Sequence, residues 1–286
     1  MYDNQNLRID GVEKLYDFCK VLKLEKIYEH PLFISINELF DKFPPFDLRQ
    51  NEIVYRARKV KPFENIKTYD DDPISFIGFG RKDSFIPPKE NISKNRANFI
   101  GNPVLYVSTS MNTAIAETRP YKGNRISIAE IIINKDLKLF DLALPPGHIG
   151  VNFMYDPPYD DFYSNTLDDL EANYLNLKDK IACMFAIPYE YIDNNEYLPT
   201  QYITEYIRNS KQFDGIRYTS SLSSSEGENI TIFNCNNEDD CQCKNDAYIL
   251  CEPRSSSLYN IENIGYFARS WNAFNFIACP SWAWKK

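Results

Sequence analysis

The segment VLYVSTSMNTAIAETRP, at 104–120, contains the residue types and spacing best suited to chemistry. On a strand–turn–helix interpretation, Tyr106 lies on the strand, residues 108–110 form the turn, and Glu117 projects from the helix that follows. Two alanines in the same helix leave this carboxylate room to sit beside a ligand. The alternative is an ordinary exposed glutamate on a helix surface.

A second candidate group is a short basic cluster. Its four cations lie within six positions of an otherwise acidic chain, and they are Arg56, Arg58, Lys59 and Lys61. Such a cluster can bind one small anionic ligand, because guanidinium groups match the geometry of phosphate oxygens. The alternative is a solvated strand at the edge of a sheet.

Short runs rich in β-branched and aromatic residues predict the strands that must position these groups. The five runs in the first half of the chain are 53–57, 74–79, 104–108, 126–133 and 137–143. Alanines and a closing proline predict a brief helix over MNTAIAETRPY, between the third and fourth of them. Two later strands are predicted in DGIRYTSS and NITIFN, at 214–221 and 229–234.

Apolar residues at three- and four-residue intervals predict two helices in 11–43, and the prolines of FPPFDL end this region. We therefore predict a helical N-terminal extension at 1–48 and one larger domain at 49–286. The second of these carries a C-terminal extension after residue 235.

A helical insertion is predicted near 150–200, with its clearest pattern in 166–187. A further helix is expected at 200–209, beginning with Thr200 as its N-cap.

Composition excludes several functional classes. The net charge of −8 and pI near 5.0 argue against direct nucleic-acid binding. No run reaches the roughly 18–20 apolar residues of a membrane span, and the N-terminus lacks signal-peptide features, so a cytoplasmic protein is expected. Neither a Rossmann glycine motif nor a Walker A motif is present.

Metal and triad chemistry have little support. The cysteines at 235, 241, 243 and 251 could form a tetrahedral zinc site, but their spacing is irregular, and no metal is predicted. The chain has two histidines, His30 and His148, which leaves little material for a histidine-based centre or a Ser-His triad. The odd total of seven cysteines argues against a disulfide-stapled secreted module.

Several blocks of the chain resemble the RES-domain family, which is named for an arginine, a glutamate and a serine. VYRAR at 54–58 is similar to the family's opening strand. NRANFIGNPVLYVSTSMNTAIAET at 95–118 resembles the long central block. FDGIRYTSS followed by GENITIF resembles the block that carries the serine. Order, spacing and predicted element type agree over roughly residues 52–234.

The resemblance implies an α+β fold similar to that of ADP-ribosyltransferases, a split mixed sheet flanked by helices. It also implies a toxin that degrades NAD by hydrolysis or phosphorolysis. NAD is then a substrate, inorganic phosphate is the co-substrate in the phosphorolytic case, and no cofactor is needed. The implied protein partner is an antitoxin of helix-turn-helix type. No oligomeric state is indicated.

The resemblance places the family glutamate at Glu117 and the serine at Ser220, with Ser221 as a close rival. A carboxylate suits the reaction, because the ribose becomes cation-like as nicotinamide leaves. Glycosidases meet a similar charge with carboxylates. Ser220 could orient Glu117 or contact the substrate.

The remaining site residues are expected to bind NAD. Arg56 and Arg96 suit the diphosphate, since guanidinium groups bind its oxygens in bidentate fashion. Tyr106 could stack on nicotinamide or donate a hydrogen bond to ribose. Arg56 and Tyr106 are also predicted to be catalytic, and Ser108 completes the predicted NAD contacts.

Departures from the family pattern leave two other functions open. The central block usually brings two glycines and an Arg-Trp-Asn run, whereas this chain has KNRAN at 94–98. The interval between the two arginines is long, and the insertion near 150–200 enlarges the chain. The alternatives are an ADP-ribosyltransferase acting on a protein target and a catalytically inactive binding module.

Overall fold

The computed structural model describes residues 15, 17–22, 26–62, 64, 66, 74–87, 89–144, 169–186, 197–220, 222, 227–233 and 249–262. Several predictions lie outside these residues: parts of the first helix and of the insertion, most of the C-terminal extension, and Ser221. The division of the chain at residue 48 stays a prediction.

Eight strands of the described residues form a mixed sheet at the centre of the fold. Its strands are β1 (Phe46–Leu48), β2 (Ile53–Val60), β3 (Leu105–Ser108), β4 (Arg125–Ile133), β5 (Leu137–Leu142), β6 (Gly215–Thr219), β7 (Glu228–Ile232) and β8 (Cys251–Asn260). In space they follow the order β1-β5-β6-β7-β3-β2-β4-β8. The pairing of β5 with β6 is parallel, and the other pairings are antiparallel.

The sheet is nearly divided at the contact between β2 and β3. These strands share a single registered pair, Tyr55 with Ser108, whereas β2 and β4 pair along eight residues each. The predicted α+β class, with a mixed sheet flanked by helices, is confirmed. The narrow junction agrees with the expected split of the sheet.

Within the described residues, four α-helices have both ends defined: α1 (Pro31–Lys42), α2 (Met111–Glu117), α3 (Asp169–Ala186) and α4 (Leu198–Ser210). Residues 17–21 are helical as well. Single 3-10 turns occupy Ile27–Glu29 and Lys89–Asn91. His30 caps α1, since its Nδ1 accepts a hydrogen bond from the amide of Leu32 at 3.1 Å. No helix in the described part of the chain is both long enough and apolar enough to cross a bilayer.

Side chains that alternate along β5 belong to two different hydrophobic clusters. On β5, Phe140 and Leu142 belong to the cluster that contains the buried residues of α1, α3 and α4, whereas Leu137 and Leu139 belong to the other cluster. Such a period of two is expected for a strand that is buried on both faces. The helix predicted within the insertion, α3, is therefore a core element, with Phe185 fully buried.

The strand predicted at 74–79 is wrong. This segment forms a loop that touches the sheet through one bridge, Phe76 with Ser256. Serine hydroxyls take the place of a strand partner, because Ser256 accepts from the amide of Gly78 at 3.1 Å and Ser127 accepts from the amide of Phe79 at 2.9 Å. A side chain at position 78 would clash with Ser127, so glycine permits this close approach.

Two strands were not predicted. β1 is three residues long and follows two prolines, and β8 contains Pro253 and three serines in a row. Proline is tolerated in β8 because this is an edge strand and its register with β4 shifts between Glu130 and Ile131, opposite Pro253.

The predicted start of α4 is also wrong. The helix begins at Leu198 and has Pro199 in its first turn. Proline is tolerated there because the backbone amides of the first turn have no hydrogen-bond partner within the helix. Thr200 is inside the helix, and its hydroxyl donates to the carbonyls of Arg96 at 2.7 Å and Tyr197 at 3.0 Å.

Candidate active site

A cavity of about 690 Å³ lies at the junction of β2 and β3 and brings together all six residues predicted to form the site. They are Arg56, Arg96, Tyr106, Ser108, Glu117 and Ser220. These residues come from β2, the loop before β3, β3 itself, α2 and the end of β6. Residues distant in the sequence thus converge on one cavity.

Glu117 is the last residue of α2 and is exposed to the cavity. Ser110 is the N-cap of this helix, because its hydroxyl accepts a hydrogen bond from the amide of Thr113 at 3.1 Å. Seven residues later the carboxylate lies over the ends of β6 and β7, where Ser220 and Asn229 both reach it.

Both of these side chains donate to the same carboxylate oxygen. The hydroxyl of Ser220 and the amide nitrogen of Asn229 each lie 2.6 Å from Oε1 of Glu117. Ser108 donates in turn to Oδ1 of Asn229 at 2.8 Å. The prediction that Ser108 begins a turn is wrong, because it is the last residue of β3 and pairs with Asn229 on β7.

Tyr106 lines the cavity with its ring, and its hydroxyl is engaged by the loop at 94–98. The hydroxyl accepts from the amide of Ala97 at 2.9 Å and donates to Oδ1 of Asn98 at 2.8 Å. Burial raises the pKa of this phenol well above its usual value. The proton of this hydroxyl is thus donated within the protein, to Asn98.

Arg96 projects from the same loop. Its guanidinium lies 5.6 Å from the centre of the Tyr197 ring, and its carbonyl accepts the hydrogen bond from Thr200. Burial raises the pKa of the neighbouring Tyr218 to about 12, with Arg96 opposing the rise and Glu117 adding to it. Arg96, Glu117 and Tyr218 all line the cavity.

Arg56 and Arg58 are held by the loop at 74–87. Both guanidinium groups donate to the carbonyl of Asp83, at 3.5 Å in the case of Arg56. Arg58 also lies over the ring of Phe79, 4.3 Å from its centre. Burial and the adjacent Arg58 lower the pKa of Arg56 to about 9, so this poorly solvated guanidinium remains cationic at neutral pH.

The electrostatic character of the cavity is cationic. Its described lining contains one acidic residue, Glu117, and six basic ones: Arg56, Arg58, Lys59, Lys61, Arg96 and Arg119. Among the described residues, the four cations of the basic cluster (Arg56, Arg58, Lys59 and Lys61) form no ion pair. β2 pairs with β4 along eight residues but with β3 only at Tyr55, and the four cations line the cavity beyond that pair. An anionic ligand would supply the missing counter-charge.

Sequence reasoning named Lys59 within the basic cluster but missed Asn229 and Tyr218. Asn229 and Tyr218 occur in blocks that resemble the family, where alternation along β6 and β7 could have placed them on the same face as Ser220. The ammonium of Lys59 donates to the carbonyl of Arg119 at 2.7 Å, just beyond α2. Only the packing of α2 against β2 shows that contact.

The described residues contain no group of three histidine, cysteine or acidic side chains able to hold a metal ion. Cys251 is buried, and the cysteines at 235, 241 and 243 lie outside the described residues, as does His148. The prediction about metal therefore stays untested.

Comparison with known families supports the resemblance. A family model described as RES domain matches residues 72–250, which is more than half of the chain. The match includes Arg96, Tyr106, Glu117 and Ser220 but begins after Arg56, which the cavity, not the match, places at the site. No curated protein matches the chain.

Proposed function

Because the chain belongs to the RES-domain family, we propose that it is a toxin-like enzyme that cleaves the nicotinamide–ribose bond of NAD, by hydrolysis or phosphorolysis. The observation that carries the proposal is the convergence of one oriented carboxylate and several cations on a single cavity. These are the groups that the reaction requires.

The carboxylate would act on the sugar. As the bond breaks, the pair of electrons leaves with nicotinamide and neutralises its ring, while positive charge develops on the ribose. Glu117 would stabilise that charge as it appears, or orient a ribose hydroxyl or the incoming nucleophile. Both donors meet Oε1, so Oε2 is available to the substrate.

The cations would bind the diphosphate. NAD carries two negative charges there, and Arg96 and Arg56 line the cavity from the loop before β3 and from β2. A guanidinium group binds phosphate oxygens through two parallel hydrogen bonds, which fixes the orientation of the substrate as well as its affinity. The rings of Tyr106 and Tyr218 provide flat surfaces for the bases.

Analysis of the reaction products tests this proposal. Purified protein is incubated with NAD, with and without inorganic phosphate, and the products are separated by chromatography and identified by mass. Free nicotinamide with ADP-ribose supports hydrolysis, and nicotinamide with ADP-ribose 1-phosphate supports phosphorolysis. Glu117→Ala should abolish both products. Glu130→Ala is the matched control, because Glu130 also accepts a serine hydrogen bond, at 3.1 Å from Ser255, outside the cavity lining.

Other outcomes would point elsewhere. Transfer of the ADP-ribose part of NAD to a protein would favour the ADP-ribosyltransferase alternative. Unchanged NAD would favour an inactive binding module. We further propose that expression of the active protein arrests growth and that an antitoxin of helix-turn-helix type relieves the arrest. Expression of the Glu117→Ala variant should permit growth without the antitoxin.

A further inference from the structure

The hydrogen bonds around Glu117 form a directed chain from β3 to the carboxylate. Ser108 donates to Asn229, and Asn229 donates to Oε1 of Glu117, which also accepts from Ser220. In the described residues, no side chain or amide donates to Oε2. One oxygen is therefore held by two donors, and the other is left for the substrate.

The direction of this chain follows from the chemistry of its members. An ionised carboxylate only accepts hydrogen bonds, so the amide group of Asn229 must present its nitrogen to Glu117. Its oxygen then faces Ser108, whose hydroxyl must donate. The orientation of the Asn229 side chain is determined at both ends.

The backbone holds this arrangement firmly. Asn229 lies on β7 between two partners, paired with Ser108 on β3 and with Tyr218 on β6. Its side chain is buried, as are those of Ser108 and Ser220. Glu117, in contrast, is exposed to the cavity at the end of a short helix. The sheet thus supplies the rigidity that the carboxylate lacks by itself.

We propose that Asn229 is a positioning residue that fixes the rotamer of Glu117 and directs Oε2 toward the ribose, and that Ser108 acts through Asn229 without binding NAD itself. This inference rests on the proposed function. It assigns a role to a residue that the sequence did not single out and changes the expected role of Ser108.

Two substitutions of Asn229 separate positioning from simple packing. Asn229→Asp keeps the shape and can still accept from Ser108, but in its ionised form it cannot donate to Glu117 and places a second negative charge beside it. Asn229→Ala removes the donor without adding charge. We expect kcat to fall about tenfold in Asn229→Ala, as for the loss of one hydrogen bond to a charged group, and further in Asn229→Asp. KM for NAD should stay within about twofold in both.

A matched control exists in the same chain. Asn102 donates to Oε1 of Glu205 at 3.1 Å, outside the cavity lining, so Asn102→Asp creates a similar pair of carboxylates away from the site. That variant should retain the kcat of the wild type. Ser108→Ala should lower kcat with little change in KM.

The outcomes distinguish this inference from the proposed function. If Asn229 only packs, the isosteric Asn229→Asp should be more active than Asn229→Ala, and that order would overturn the inference. A rise in KM in Ser108→Ala with kcat unchanged would also overturn it, because Ser108 would then bind NAD directly. A wild-type protein that releases no nicotinamide would overturn the proposed function and this inference together.

Discussion

Replacement of Glu117 by glutamine tests the central role of the carboxylate charge. Glutamine has nearly the same shape, and its carbonyl oxygen can still accept from Ser220 and Asn229, so the fold and the binding of NAD should be preserved. Because Glu117 is exposed to the cavity, an effective dielectric constant of about 20 is appropriate, and opposite unit charges about 4 Å apart then attract by about 4 kcal/mol. At 1.36 kcal/mol for each factor of ten, kcat should fall about 1000-fold.

The assay is release of nicotinamide under single-turnover conditions, which isolates bond cleavage from product release. Glu130→Gln serves as the control, since Glu130 accepts from Ser255 away from the cavity. Thermal unfolding should show the same midpoint for both variants. A Glu117→Gln protein that retains more than about a tenth of the wild-type kcat would show that the charge on this side chain contributes less than about 1.4 kcal/mol, and the reasoning would be wrong.

Three further predictions concern binding and stability. Arg56→Lys and Arg96→Lys should each raise KM for NAD by about tenfold in steady-state kinetics, because lysine keeps the charge but loses the bidentate geometry; an unchanged KM would remove that arginine from the diphosphate site. Tyr106→Phe should lower the free energy of unfolding by about 2 kcal/mol in urea titration, since two hydrogen bonds to the loop at 94–98 are lost, whereas a change below about 0.5 kcal/mol would contradict their importance. Gly78→Ala should cost about 1–3 kcal/mol, measured in the same way, because the new methyl group would clash with Ser127; a neutral effect would mean that the loop can move away.

Most secondary structure could be predicted because it depends on local pattern. The strands β2, β3, β4 and β5 and helix α2 were all predicted from β-branched runs and alanines. The segment at 74–79 has the same apolar composition but forms a loop, because hydroxyl groups on β4 and β8 bind its amides. β8 was missed since its serines and proline lack a strand pattern, and it forms by pairing with β4.

The site shows the same division. Arg56, Arg96, Tyr106, Ser108, Glu117 and Ser220 could all be named from the sequence, since residue type and order carry the resemblance to the RES-domain family. Their partners could not be named. The bonds from Asn229 to Glu117 and from Tyr106 to the loop at 94–98 join atoms whose separation depends on strand register and helix packing.

The amino-acid sequence by itself therefore determined the family, the local elements and the chemical groups of the site, because each of these is encoded in residue type and short-range spacing. Tertiary structure decided which carboxylate oxygen is free and which hydroxyl groups are already occupied. It also limited the pairing of β2 with β3 to Tyr55, beyond which the cations of β2 line the cavity. Those features arise from contacts between residues as far as 121 positions apart, which no local pattern specifies.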